Sequence, residues 1–137
     1  MEAIGTFTVT AFVPAEPPEP VGEAVATGVP VGLATMEKLF EGEVAGRSTT
    51  LFTSAFDEAA GNGTYLAMES FDGTLHDRRG TFCFVHSKSM ADGAGRTDFF
   101  TVVPGSGTGE LAGMSGGGSL DVDADGTHRV RFDYELA

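Results

Sequence analysis

The sequence predicts an all-β fold, a small antiparallel β-barrel of about eight strands. Three observations carry this expectation. Runs of β-branched and aromatic residues alternate with a period of two, and Gly, Asn and Asp turn signals separate them at the spacing of a sandwich or barrel. No segment holds a convincing helical period. At 137 residues and 41% hydrophobic content the chain can bury one core and is too short for two of ordinary size. A single β-barrel domain is therefore expected over residues 1–137.

The elements follow in order. Gly5 to Phe12 alternates threonine with Phe7, Val9 and Ala11 and reads as a half-buried strand. Four prolines and several acids in PAEPPEPVGEAVATG then remove backbone donors and predict a surface loop. Residues 29–45 read as a strand, with a short helix as the alternative because Leu33, Met36, Leu39 and Phe40 also fit one helical face. STTLFTSAF and TYLAMESF flank Ala60-Gly61-Asn62-Gly63, a hairpin signal. Breaks at Asp72-Gly73 and at DRRG precede the strand TFCFVHSKSM, and Asp92-Gly93-Ala94-Gly95 turns the chain into TDFFTVV. After a glycine-dense corner ending at Gly118, GSLDVDA and THRVRFDYEL are joined across Asp125-Gly126. The last strand points Val130, Phe132, Tyr134 and Leu136 inward and Arg129, Arg131, Asp133 and Glu135 outward.

Charge narrows the function classes. Twenty acidic against eight basic residues give a net charge of −12, which repels phosphate backbones and anionic headgroups, so neither nucleic acid nor a membrane is an expected partner. The lone Cys83 has no disulfide partner within the chain and lies in an apolar run. With an N-terminus that does not read as a signal peptide, it points to a reducing cytoplasm. The Asn62-Gly63-Thr64 sequon then has no consequence.

Three motifs resemble known sites and fail on context. Gly107-Thr108-Gly109-Glu110-Leu111-Ala112 matches the dinucleotide fingerprint G-x-G-x-x-A, but no helix opens there inside a βαβ unit. Gly113-Met114-Ser115-Gly116-Gly117 matches G-x-S-x-G, with Asp121 or Asp123 and then His128 in hydrolase order. The strand-to-helix elbow that strains such a serine is again missing. Asp121 to Gly126 matches the first half of a calcium loop, yet its twelfth position is Phe132 rather than glutamate. The three histidines show no ligand spacing, so no metal and no cofactor are expected.

The candidate site is Glu69 with His86 and a tyrosine, Tyr65 or Tyr134. Glu69 shares a strand face with Tyr65, Ala67 and Phe71, and His86 shares one with Phe82 and Phe84, so two ionisable groups sit on apolar faces. In a dry lumen such a pair suits proton transfer, with Tyr65, Phe82, Phe84 and Tyr134 holding a ligand. The structural alternative pairs Glu69 with Arg78 or Arg79 and leaves His86 bonded to backbone.

Tyr65 to Glu69, Gly73-Thr74-Leu75, Arg79 to Phe82 with Val85-His86, Val103 to Gly113, and Asp133 to Leu136 together resemble the bacterial domain-of-unknown-function family 3224. The resemblance extends over nearly the whole chain from about Thr6. It departs where the family's glycine, two residues past the histidine, is Lys88. The resemblance implies a barrel similar to that of allene oxide cyclase and a habit of forming homo-oligomers, and it carries no activity to transfer. By fold analogy it points to a small apolar ligand in the lumen and to a cofactor-free isomerase or cyclase. The alternative is a non-catalytic, homo-oligomeric barrel with a filled core.

Overall fold

The period-two pattern is realised in eight strands: β1 (Glu2–Ala15), β2 (Val31–Gly42), β3 (Val44–Asp57), β4 (Asn62–Leu75), β5 (Arg78–Ala91), β6 (Ala94–Val102), β7 (Ser115–Val122) and β8 (His128–Glu135). In the computed structural model, which covers residues 1–137, each strand pairs antiparallel with the next and β8 returns to β1, closing the sheet. Closure pairs most of the strand edges, which is how an all-β chain limits templating of its own aggregation, while β6 and β7 meet only at Thr101–Gly117. Within residues 29–45 the chain forms β2 from Val31 to Gly42 and begins β3 at Val44, with no helix, and the proline-rich segment between β1 and β2 forms no regular element. No helix is long and apolar enough to cross a membrane.

Two turns differ from the sequence reading. β4 and β5 meet at His76-Asp77, two non-glycine residues at φ 49° and 65°, so Asp72-Gly73 and Arg78 to Gly80 lie inside strands. Both central residues of a type I′ hairpin turn need positive φ, and histidine and aspartate tolerate it better than most side chains. The β3–β4 turn closes at Gly61, one step earlier than Asn62-Gly63 suggests, with Asp57 paired to Asn62. Asn62 instead accepts a hydrogen bond from the Asp92 amide at 2.8 Å, tying two neighbouring hairpin turns together.

The glycine corner has a structural use. β6 pairs with β5 only as far as Phe84–Val102, so the first half of β5 has no strand beside it on that side. The corner takes that place. The Val103 amide donates to the Cys83 carbonyl (2.9 Å), Cys83 N–H donates to Ser106 Oγ (3.0 Å), and Thr81 and Thr108 bond backbone to backbone and side chain. Leu111 and Met114 then turn inward and plug the end of the barrel. A Cβ at Gly107 would strike the Leu111 carbonyl, and one at Gly80 would strike the Thr108 carbonyl, so both positions need glycine for close backbone approach.

That end of the lumen is filled. Phe71, Phe82, Phe84, Phe100 and Phe132 stack and cross at centroid distances of 5.1 to 5.8 Å, with Val130 and Tyr134 buried beside them. Edge-to-face and offset contacts of this kind are worth about 0.5–1.5 kcal/mol each beyond area burial. The opposite end is open.

Candidate functional site

Four adjacent strands bring four inward side chains together at the boundary between the filled and open halves. Lys38 stands on β2 beside Ser48 on β3, and Glu69 and His86 stand on β4 and β5, where Ala67 is the cross-strand partner of His86. Glu69 is 0% exposed, His86 3% and Lys38 4%. The Glu69 carboxylate accepts hydrogen bonds from Lys38 Nζ (2.9 Å) and His86 Nε2 (2.5 Å) at Oε2, and from Ser48 Oγ (2.7 Å) at Oε1. Neither Arg78 nor Arg79 reaches it; Arg79 pairs with Asp72 on the outer surface.

Burial alone would raise the Glu69 pKa, but the His86 hydrogen bond and the Lys38 charge outweigh burial and hold it down at about 2. The buried group is therefore a carboxylate at neutral pH. A carboxylate only accepts, so the proton between it and His86 belongs to Nε2. In the neutral ring Nδ1 is then the bare base. It is buried and has no hydrogen-bond partner. The ring itself is held between Phe84 and Phe100, with Tyr65 edge-on at 5.7 Å.

Above this floor lies a cavity of about 280 Å³, near the small end of the range for organic ligands. Phe7, Val9, Met36, Phe52, Tyr65 and Met90 are among its apolar walls, and Lys38, His86, Lys88, Asp121 and His128 supply the polar groups. The Tyr65 ring stacks on Phe52 at 5.0 Å. Its hydroxyl is pushed up to about 12, by burial first and by the Glu69 charge second, so it stays a proton donor. The barrel is thin beside this cavity, because β6 and β7 are joined at a single pair, Thr101–Gly117.

The structure thus brings Glu69, His86 and Tyr65 together, sets Phe84 against His86, and leaves Phe82 and Tyr134 apart from them. Phe84 lies beneath the floor, stacked on His86. Phe82 and Tyr134 are buried in the filled end; Tyr134 faces His76, and its hydroxyl has no partner. Lys38 and Ser48 are the members that the sequence reading missed. Their signal was the alternation Ala34, Met36, Lys38, Phe40, a lysine on an apolar strand face, which the helical alternative for residues 29–45 concealed.

The motif lookalikes separate in space. Ser115 and His128 sit at opposite ends of the β7–β8 hairpin, seven residues or about 23 Å of strand apart, so they form no triad. In the aspartate run, Asp123 pairs with Arg129 and Asp125 caps the turn by accepting from the Thr127 amide.

The chain matches the profile of the family described as "Protein of unknown function (DUF3224)" over residues 3–134. It is also similar to the crystal structure of a protein of unknown function of the DUF3224 family from Shewanella oneidensis MR-1, at 31% identity and a TM-score of 0.83. That alignment covers 100% of this chain and 97% of the other. No curated protein matches. The chain belongs to the DUF3224 family.

Proposed function

We propose that this DUF3224 barrel binds a small, largely apolar organic molecule in the open half of its lumen and promotes a cofactor-free isomerisation there by proton transfer. One observation carries the proposal: a buried histidine whose Nε2 is fixed by a carboxylate keeps an unpartnered, solvent-shielded Nδ1, on a ring that lines an apolar-walled cavity. Leaving a buried acceptor unsatisfied costs about 1–3 kcal/mol, which a ligand proton would recover. Nδ1 takes a proton from a carbon next to a carbonyl, Glu69 steadies the imidazolium, and the Tyr65 hydroxyl donates to the developing enolate oxygen. Return of the proton to a different carbon completes the isomerisation with no net change in charge or redox state. Lys38 keeps Glu69 ionised.

The test is a thermal-shift panel of small apolar ketones and enones against the wild type and Ala67→Phe, which fills the cavity beside His86. A ligand at a hundred times its Kd stabilises the wild type by about 2.7 kcal/mol, and Ala67→Phe should lose that shift. Hits are then held in D₂O, and carbon-bound deuterium is read by NMR with wild type and with His86→Gln. Silence across the panel, or equal shifts in Ala67→Phe, would overturn the cavity reading. Exchange that survives His86→Gln would remove the histidine from its role.

A second proposal concerns assembly. The outer face of β2–β5 presents Thr35, Leu51, Thr53, Leu66, Met68 and Val85 across neighbouring strands, bordered by Glu37. Leu51, Leu66 and Met68 are exposed, and a groove of about 440 Å³ runs beside them. Copies of a chain carrying −12 repel each other except through such a face, so it is the surface for a homo-oligomer. Light scattering after gel filtration should show an oligomer that Leu51→Glu dissociates; a monomeric wild type would refute it.

A further inference from the structure

We infer that the ligand of this cavity carries a carboxylate, held at the mouth by Lys88 and His128, with its apolar body running inward to His86. This rests on the cavity reading above and specifies its substrate class. The chain has two lysines, and both line this one cavity. Lys38 is committed to Glu69. Lys88 pairs with no carboxylate, whereas Arg47, Arg79, Arg96, Arg129 and Arg131 all do. In a chain with 20 acidic and 8 basic residues, Lys88 shares the state of a half-buried cation that no carboxylate has claimed only with Arg78, which donates to Met1 Sδ instead.

The local backbone places that cation. The β5–β6 register shifts between Ser87 and Lys88, with the extra residue, Asp98, on β6, so the strand facing Lys88 bends there. On β6, at Gly95, the cross-strand partner of Met90, a Cβ would lie 2.9 Å from Lys88 Cε and 3.7 Å from Nζ, so the lysine stem passes over this glycine. The nearby carboxylate of Asp98 is taken by Ser89 and by Arg96 at 3.2 Å. His128, a further ring-nitrogen hydrogen-bonding group on the lining, rests its ring on Phe7 at 5.1 Å and extends the rim towards β1.

Asp121 is the one carboxylate on the lining, on the β7 side, where Ser119 Oγ donates to it at 3.3 Å. It repels a ligand carboxylate there and directs it towards β5. Lys88 follows His86 by two residues, about 7 Å of strand, so a short apolar spacer separates the ligand's charge from the carbon that meets Nδ1.

The test uses 3-phenylpropanoate and its neutral isostere 3-phenylpropanamide, with Kd values from NMR titration. The acid should bind the wild type at least tenfold more tightly than the amide. Lys88→Met should cut that preference at least severalfold and leave the amide within twofold of wild type; Gly95→Ala, which displaces the lysine stem, should reduce it less. Equal binding of acid and amide, or a preference undiminished in Lys88→Met, overturns the carboxylate and leaves the cavity intact. Absence of binding by both probes overturns the inference, and together with a silent ketone panel removes the cavity reading as well.

Discussion

Glu69→Gln removes the charge on which the buried cluster is built while keeping the side chain's shape. In the folded chain the carboxylate is held at about 2, against an ordinary value of 4.5, and that difference is worth roughly 3 kcal/mol by linkage. Because the folded value is the lower one, this stabilisation is fully present above about pH 4.5 and is lost as pH falls towards 2. The variant also strands the Lys38 ammonium at 4% exposure without its counter-charge, and breaking a buried pair from one side costs about 3–5 kcal/mol. For a domain of this size, that lowers Tm by about 10–20 °C at neutral pH. Lys38→Met combined with Glu69→Gln should recover part of the loss, since an apolar pair of similar volume leaves no uncompensated charge. The assay is denaturant unfolding of the three proteins from pH 7 to pH 2.5. The acid limb of the wild type should flatten in Glu69→Gln. A variant that loses less than about 1 kcal/mol and keeps the wild-type acid limb would refute the assignment of a paired, ionised Glu69.

Two further outcomes follow from the closed end of the barrel and from the discarded triad. Gly107→Ala forces a Cβ against the Leu111 carbonyl and should cost about 1–3 kcal/mol in unfolding experiments; ligand affinity should stay unchanged, since the corner lies at the filled end away from the cavity. Ser115→Ala, at an exposed position seven residues from the His128 register, should change stability by no more than about 0.5 kcal/mol and leave any deuterium exchange intact. A selective loss of ligand binding in the first variant, or of exchange in the second, would contradict this placement.

Alternation made most of the barrel legible. β8 shows why: Val130, Phe132 and Tyr134 are buried in strict register, and the half-buried Leu136 packs on the core just past the strand end. The His76-Asp77 turn was hidden because its two positive-φ positions are not glycines. Glu69 and His86 could be found as ionisable groups on apolar faces, but their partner could not be named. Lys38 lies 31 residues before Glu69, and only the β2–β3–β4 register brings the two together. Tyr134 and Tyr65 looked equivalent because alternation reports which side chains face inward and not at what height. The plug of Leu111 and Met114 decides which half of the lumen is filled, and it comes from a corner whose sequence signals only backbone freedom.

The central claim is that Glu69 holds His86 through Nε2 and leaves Nδ1 without a partner on a ring that lines the open half of the barrel. Long-range ¹H–¹⁵N correlation of the imidazole nitrogens at neutral pH measures this directly. A proton on Nε2 with a strongly hydrogen-bonded N–H resonance, and an Nδ1 that responds when a ligand binds, is the predicted result, with the N–H resonance perturbed in Glu69→Gln. A proton on Nδ1 of the neutral ring, with Nε2 bare, would contradict it and remove the base from the cavity floor.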